Sequence, residues 1–591
     1  MNSELLIAHF NRISDAPDAI PRLRQFILDL AVRGKLIDQD SNDTPVVELL
    51  LQNDQARQVI SKEDRRADAD RQSLWSSARL WNIPTSWRWC ALADLLLFID
   101  YRGKTPPKTE KGVRLITAKN VKKGFINYSP EEFVSETGYH AWMTRGFPKQ
   151  GDILFTTEAP MGNAAVVMQS ERFALAQRVI CFRPYGAVNP AFLTLQLLAQ
   201  PFQSILNDTA TGLTAKGIKS AKLRHLPVAV PSLAEQRRIV TKVNELMALC
   251  DRLEAVRAER ENRQARLTAA SHHHLNNGAD GDTLRKHAHF FVEHLPRLSA
   301  RPDQIKQLRE TILNLAVRGQ VVPQENKPTS AHDLIDRVKV ERNRRIDSGQ
   351  IKQVGPLKIT GDEKRFDYPI PSCWVFCFVD DVALKVTDGE HATPRRSQTG
   401  YYLLSARNVT NNGIDVSDVD FVPEEEYRRI RKRCDPDKGD ILISCSGSIG
   451  RVAVVDQDNA YTMVRSAALI KLDTSHINSR YLAYVLRAGP AQEQIGIYSK
   501  STAQANLFIG AIRKLRIPLP PLAEQNSIVA RVDELMVLCD RLETQLTSVQ
   551  TDTSRLLEAI LYNSLNSSNL AATYAESLTQ DLFVPHAERQ G

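Results

Sequence analysis

The sequence predicts an α+β protein built twice, with two strand-rich α/β modules and two long helices of coiled-coil type. Three observations carry that prediction. The string P-S-L-A-E-Q-R-R-I-V-T-K-V-N-E-L-M-A-L-C-D-R-L from Pro231 to Leu253 returns from Pro520 to Leu542 as P-P-L-A-E-Q-N-S-I-V-A-R-V-D-E-L-M-V-L-C-D-R-L, an offset of 289 residues, and a fixed offset of this kind marks an internal repeat. Apolar residues in each copy fall at steps of four and three: Ile239, Val243, Leu246, Cys250 and Leu253, then Ile528, Val532, Leu535, Cys539, Leu542, Leu546 and Val549. Such spacing is a coiled-coil seam. Between the helices lie short runs of Val, Ile, Leu and Phe broken by Gly, Pro and Asn, the pattern of strands and turns.

Residues 1–83 read as helical. Leu23, Phe26, Ile27 and Leu30 share a face, and Gly34 stands where a left-handed C-terminal cap belongs. L-R-Q-F-I-L-D-L-A-V-R-G-K-L at Leu23 returns at Leu308 as L-R-E-T-I-L-N-L-A-V-R-G-Q-V. A second helix is expected from Thr44-Pro45 into the charged run Ser61–Arg71, with a counterpart after Thr329-Ser330 that ends near Glu341. The first module spans 84–230 and the second 371–519. P-T-S-W-R-W-C matches P-S-C-W-V-F-C, L-I-T-A-K-N-V matches L-L-S-A-R-N-V, and G-D-I-L-F-T matches G-D-I-L-I-S. The repeated Gly-Asp, at Gly151 and Gly439, reads as a turn before a strand. Long helices occupy 231–275 and 520–565. Ser232 and Glu235 give the first a capping box, which Pro521 removes from the second. Ser271–Arg301, with three histidines from His272, reads as a linker into the repeated helical region, 276–370 taking both together, and 566–591 as a tail.

With 591 residues, 42% hydrophobic and 25% charged, the chain has the make-up of a soluble globular protein of several domains. M-N-S-E-L-L lacks a basic and apolar leader, and the most apolar stretch, Leu92–Ile99, is short and contains Asp94. A cytoplasmic protein with no membrane partner is expected. Eight scattered cysteines fit a reducing compartment rather than a disulfide framework. The net charge of +8 is concentrated in the modules, with 18 Lys plus Arg against 10 Asp plus Glu over 84–230 and 19 against 17 over 371–519. That distribution points to a polyanion partner.

No catalytic constellation stands out. Asn189-Pro190-Ala191-Phe192 approaches an amino-methyltransferase motif but lacks its second proline, and Asn as N-cap with Pro in the first turn explains it. Gly212–Lys219 has Ile218 where a phosphate-cradling loop needs lysine. Cys373 and Cys377 lack a second ligand pair, so no metal and no cofactor is expected in this chain. What remains are basic, polar loops at corresponding places, the candidate DNA-binding residues. In the first module they are Arg102, Lys104, Thr105 and Lys108; Lys119, Asn120, Lys122 and Lys123; and Lys216 and Lys219. In the second they are His391, Thr393, Arg395 and Arg396; Arg407 and Asn408; Ser446, Ser448 and Arg451; and Lys500, Gln504 and Asn506. Arg and Lys contact phosphates or the guanine edge, and Asn and Gln pair with the adenine edge.

The doubled P-x-L-A-E-Q helix, the doubled L-A-V-R-G unit and the paired modules ending in strings such as I-P-L-P-P-L-A-E-Q make the chain resemble the specificity subunit of a type I restriction-modification system. The resemblance implies two target recognition domains, each reading half of a bipartite site in double-stranded DNA, separated by an antiparallel pair of long helices. It also implies assembly with modification subunits, two being expected, which use S-adenosylmethionine to methylate adenine, and with restriction subunits, which use ATP and Mg. The chain itself is then non-catalytic. The alternative is a stand-alone DNA-binding scaffold or regulator without associated enzymes.

Overall fold

The repeat recurs in the main sheets of both regions of the computed structural model, which describes residues 16, 18–60, 80–101, 106–168, 172–212, 216–276, 281–323, 331–359, 361–499 and 505–566. The principal helices are α1 (Ala19–Val32), α2 (Val46–Ile60), α3 (Pro190–Leu198), the long α4 (Leu233–Asn276), α5 (Gly281–Glu293), α6 (Pro302–Ala316), α7 (Ala331–Asp347), α8 (Glu424–Arg431), α9 (Ser479–Arg487) and the long α10 (Leu522–Asn566). The chain divides into one unit of Met1–Arg260 with Val549–Gly591 and a second of Glu261–Ser548, so each long helix begins in one unit and ends in the other. No helix among the described residues is long and apolar enough to cross a membrane.

The first strand-rich region holds β1 (Arg88–Ala91), β2 (Leu96–Asp100), β3 (Val113–Ile116), β4 (Phe133–Val134), β5 (Ile153–Thr156), β6 (Ala164–Val166), β7 (Phe173–Leu175), β8 (Val179–Pro184) and β9 (Pro227–Val230). The second holds β10 (Val375–Phe378), β11 (Ala383–Asp388), β12 (Tyr401–Leu404), β13 (Val409–Thr410), β14 (Gly413–Ile414), β15 (Asp420–Val422), β16 (Ile441–Ser444), β17 (Val452–Val454), β18 (Tyr461–Met463), β19 (Ala467–Leu472) and β20 (Arg516–Leu519). Sheet order β2-β8-β5-β6 is matched by β11-β19-β16-β17, and β4-β3-β7 by β15-β12-β18. In each three-stranded sheet the central strand runs parallel to β7 or β18 and antiparallel to the other neighbour. The continuous apolar runs of β5 and β16 follow from burial of every residue in both strands.

Each region closes on itself through a short antiparallel pair, Arg88 opposite Val230 and Val375 opposite Leu519. Gly34, at φ +66, precedes the first region and Gly319, at φ +72, the second. A Cβ on either would lie 2.5 Å from a ring carbon of Pro84 or Pro371, so the left-handed cap read from the sequence also makes room for a proline. The L-A-E-Q string fastens the helix to its module. The Trp87 indole donates to Glu235 Oε1 at 3.0 Å and the Trp374 indole to Glu524 Oε2 at 2.9 Å. Gln236 accepts from the Asn189 backbone N at 2.6 Å, and Gln525 from that of Asn478 at 2.9 Å. Only half of the expected capping box forms. The Glu235 backbone N donates to Ser232 Oγ at 3.0 Å, but the Glu235 carboxylate is drawn to Trp87 and Gln39 instead of back to residue 232.

In the unit containing α1, the seam residues Ile239, Val243, Leu246 and Cys250 are buried together with Ile20, Ile27, Trp87 and Phe192. Leu557, Ile560 and Leu561 from the end of α10 are buried with Ala19 and Phe26. In the other unit Ile528, Val532 and Cys539 share a core with Ile312 and Leu313 of α6. Ion pairs repeat the arrangement, Arg24 with Asp251 and Glu254, and Arg309 with Asp540 and Glu543. Within each unit, therefore, the four-three spacing packs against a short helix and the module. The linker reading of Ser271–Arg301 is corrected: α4 runs through the histidines, because no breaker occurs before the Asn-Gly at 277–278. His272 is buried, its Nδ1 2.9 Å from Thr311 Oγ1, and α5 follows.

Glu235 yields a test of the clamp. Burial raises its pKa, against the lowering effect of its bonds from Gln39 and Trp87. A carboxyl raised above its unfolded value, about 4.3 for Glu, contributes stability that is present below that value and lost as pH rises through the folded pKa. Glu235→Gln keeps an acceptor for Trp87 without the charge, so its thermal midpoint should exceed that of wild type increasingly from pH 4.3 upward. Glu235→Ala should fall below wild type by about 1–3 kcal/mol, as it leaves a buried indole N–H unpaired. Equal midpoints for all three chains at pH 8 would rule out the clamp.

Candidate nucleic-acid interface

In the second region the strand ends converge on one turn, Val464–Ser466, between β18 and β19. The Val464 backbone N donates to Leu404 O at 3.0 Å, at the end of β12, and the Cys445 backbone N donates to Ser466 O at 2.8 Å, at the end of β16. Beyond β11, Glu390 donates from its backbone N to Met463 O (2.8 Å) and accepts from the Arg465 backbone N (3.1 Å). The Ala406 backbone N donates to Ser466 Oγ at 3.0 Å, and Leu507 N donates to Cys445 O at 2.9 Å. The loops carrying His391, Arg407, Ser446 and Asn506 are thereby gathered at one edge of the sheet. The first region repeats the design around Ala176–Arg178: the Ala176 backbone N donates to Ile116 O (2.9 Å), that of Thr157 to Arg178 O (3.0 Å), and that of Ile218 to Thr157 O (3.0 Å). Lys119 and Lys216 lie on loops that meet there, both exposed, and Lys219 follows directly.

Five basic side chains of the second edge, His391, Arg396, Arg407, Arg429 and Arg433, are held by carboxylates. Arg396 and Arg407 share Asp420 at 3.4 and 3.2 Å, and Arg407 also lies 3.3 Å from Asp418. His391 Nε2 is 2.8 Å from Asp388 and 3.0 Å from the Arg433 guanidinium, which itself reaches Asp388 at 2.5 Å. Arg429 bridges Glu426 and Glu390 at 2.9 Å each, and Glu426 accepts from the Arg395 backbone N at 3.1 Å. This network straps the loop of 388–396 to α8 and leaves Thr393 and the Arg395 and Arg396 side chains exposed. Arg451 donates to Ser448 Oγ at 2.6 Å, while Ser446 is half-buried. In the first region Lys108 pairs with Glu132 at 2.9 Å. Lys122 and Lys123 sit on a hairpin closed between Val121 and Ile126 and bonded through Gly124 to the start of β6. Arg102, Lys104, Thr105, Lys500 and Gln504 lie outside the described residues.

Two candidates are corrected. Asn120 and Asn408 are 1% and 2% exposed, and their amides are consumed within the fold. Asn120 accepts from the Thr117 backbone N and donates to Asn127 O and Pro130 O, and Asn408 accepts from the Ser405 backbone N and donates to Asp415 O and Asp418 O. A side chain so engaged pins a turn and has no free edge for a base. Sequence reasoning overlooked Arg429 and Arg433, which organise the loop, and Gln177 and Arg465, exposed on the two central turns. The signal available was the difference itself, since Gln177 and Arg465 fall at equivalent places between matching strands and are unlike. Among the described residues no group of three or more His, Cys, Asp or Glu could hold a metal ion.

The chain is similar to known proteins along most of its length. The specificity subunit of type I restriction enzyme EcoEI from Escherichia coli is 23% identical over 568 residues, covering 93% of this chain and 94% of that protein. That of EcoAI, also from Escherichia coli, is 23% identical over 578 residues with the same shares covered. A chain solved in work on the assembly and conformational transition of the type I R-M system aligns over 82% of this chain and 99% of its own, with 18% identity and a TM-score of 0.46. The family model of the type I restriction modification DNA specificity domain matches twice, at 103–260 and 371–549. Two modules on one scaffold, each with a loop-bearing edge, define a DNA-recognition protein of repeated design. The chain belongs to the type I restriction modification DNA specificity family.

Proposed function

We propose that this chain reads a bipartite site in double-stranded DNA, one half with each module, and positions two modification subunits and the restriction subunits of a cytoplasmic type I complex. It supplies recognition and no catalysis. S-adenosylmethionine, ATP and Mg serve the partner subunits, and this chain binds no cofactor. One observation carries the reading: the two modules share sheet order and clamps while the loops gathered at their edges differ in sequence. A duplicated scaffold with unlike edges suits two unlike half-sites, since base edges rather than phosphates distinguish sequences.

The purified chain should transfer no methyl group from S-adenosylmethionine to DNA and hydrolyse no ATP. Addition of the modification subunits should produce adenine methylation at a two-part motif. Labelled methyl incorporation with and without those subunits measures this, and incorporation by the chain alone would refute the assignment.

A further inference from the structure

Arg465 differs from the cations of its edge that are paired with carboxylates. Its turn is fixed on all sides, with Val464 bonded to β12, the Arg465 backbone N to Glu390, Ser466 O to Cys445 and Ser466 Oγ to Ala406. The side chain is exposed, and among the described residues no carboxylate, hydroxyl or carbonyl holds its guanidinium. Arg396, Arg407, Arg429 and Arg433 are each committed to carboxylates. Gln177 occupies the equivalent place, one residue past Ala176 as Arg465 is one past Val464. It is exposed, and no described residue bonds its amide. Its turn is fixed in the same way, through Ala176 to Ile116 and Arg178 to Thr157.

A rigid turn carrying one uncommitted planar side chain suits direct readout. No internal ion pair has to break, little backbone freedom is lost, and both side-chain types make bidentate contacts to a base edge, arginine with guanine O6 and N7 and glutamine with adenine N6 and N7. We propose that Gln177 and Arg465 are equivalent base-reading residues at the centres of the two modules, Arg465 specifying a guanine in one half-site and Gln177 an adenine in the other. The inference rests on the DNA-recognition reading above.

The test uses the whole complex, assembled with its modification and restriction subunits. The methylated motif is sequenced, and binding is measured on a matched duplex across a salt series. Arg465→Ala should lower affinity about 5- to 150-fold, the range of one bidentate contact, and relax a single guanine position in one half only. Arg465→Lys keeps the charge but not the fork, and should relax the same position. Gln177→Ala should relax one adenine position in the other half. In each case the untouched half-site reports that the protein has folded. An unchanged motif with uniformly weaker binding and a shallower salt slope would mean a phosphate contact and overturn the proposal. Unchanged motif and affinity would overturn it as well. The double variant Arg395→Ala with Arg396→Ala separates the two levels. If it weakens binding while the Arg465 and Gln177 variants do not, only this inference falls; if none of them affects binding, the recognition edge itself is wrongly placed.

Discussion

Replacing residues 84–230 with the equivalent module of a relative should change one half of the methylated motif completely and leave the other half intact. The reason lies in how the module is closed. Arg88 pairs with Val230 and Ala91 with Pro227, so the chain enters and leaves at one place and everything between can be exchanged without moving the flanks. The join must keep the contacts that cross it, among them Trp87 to Glu235, the Asn189 backbone to Gln236, Asn53 to the Asp94 carbonyl and the Ala187 backbone N, and Arg57 to Asp94. A donor module with tryptophan and asparagine at those places preserves the helix start, and one lacking the tryptophan should recover activity when it is restored. The reciprocal exchange of 371–519, closed by Val375 opposite Leu519, should alter the other half. Sequencing the methylated motifs of both chimaeras measures the outcome. If either exchange alters both halves, the modules do not read independently.

The sequence exposed the scaffold better than the reading edge, and the reason is physical. Scaffold interactions recur in both copies, so Gly34 with Gly319, Trp87 with Trp374 and Glu235 with Glu524 announce themselves as identities, even though a bond between residues 148 positions apart is invisible in one dimension. The same logic applied to Asn120 and Asn408 would have assigned them correctly: residues that read different half-sites should differ, and these two are alike because they pin the same turn. Arg465 and Gln177 escaped because a two-strand turn carries no motif, and their centrality depends on strand ends brought together from distant parts of the chain. Periodicity likewise gave the faces of the long helices without naming what covers them. The four-three spacing of Ile239, Val243 and Leu246 fits any neighbouring helix, and α1 and the module fill that place within their unit.

Loss of the Lys471 charge should strongly destabilise the second unit. Lys471 Nζ lies 3.0 Å from Asp440, 3.1 Å from Asp437 and 3.3 Å from Asp435, with 12% of its side chain exposed against 5% for Asp440. Burial alone would lower the lysine pKa, but the three carboxylates outweigh it and hold the pKa above its ordinary value. Burial raises the Asp440 pKa despite Lys471 and the Asp437 and Leu472 backbone N–H groups. Lys471→Met fills the space and strands a buried carboxylate, which costs about 3–5 kcal/mol. The deficit should depend on pH with a definite sign. An Asp440 raised further above its unfolded pKa of about 3.9 contributes stability that is present at low pH and lost as pH rises through the folded value, so the variant should be weakest at pH 8 and recover toward pH 5. Asp440→Asn in the same chain should restore part of the loss and flatten the pH dependence. In the first unit Asp152 pairs with Arg183, whose side chain is 27% exposed, so Arg183→Met should cost less. Calorimetric melting from pH 5 to 8, with amide exchange followed in Ile441–Ser444, measures these differences. A Lys471→Met deficit below about 1 kcal/mol, or one that does not change with pH, would show that Asp440 does not depend on this cation.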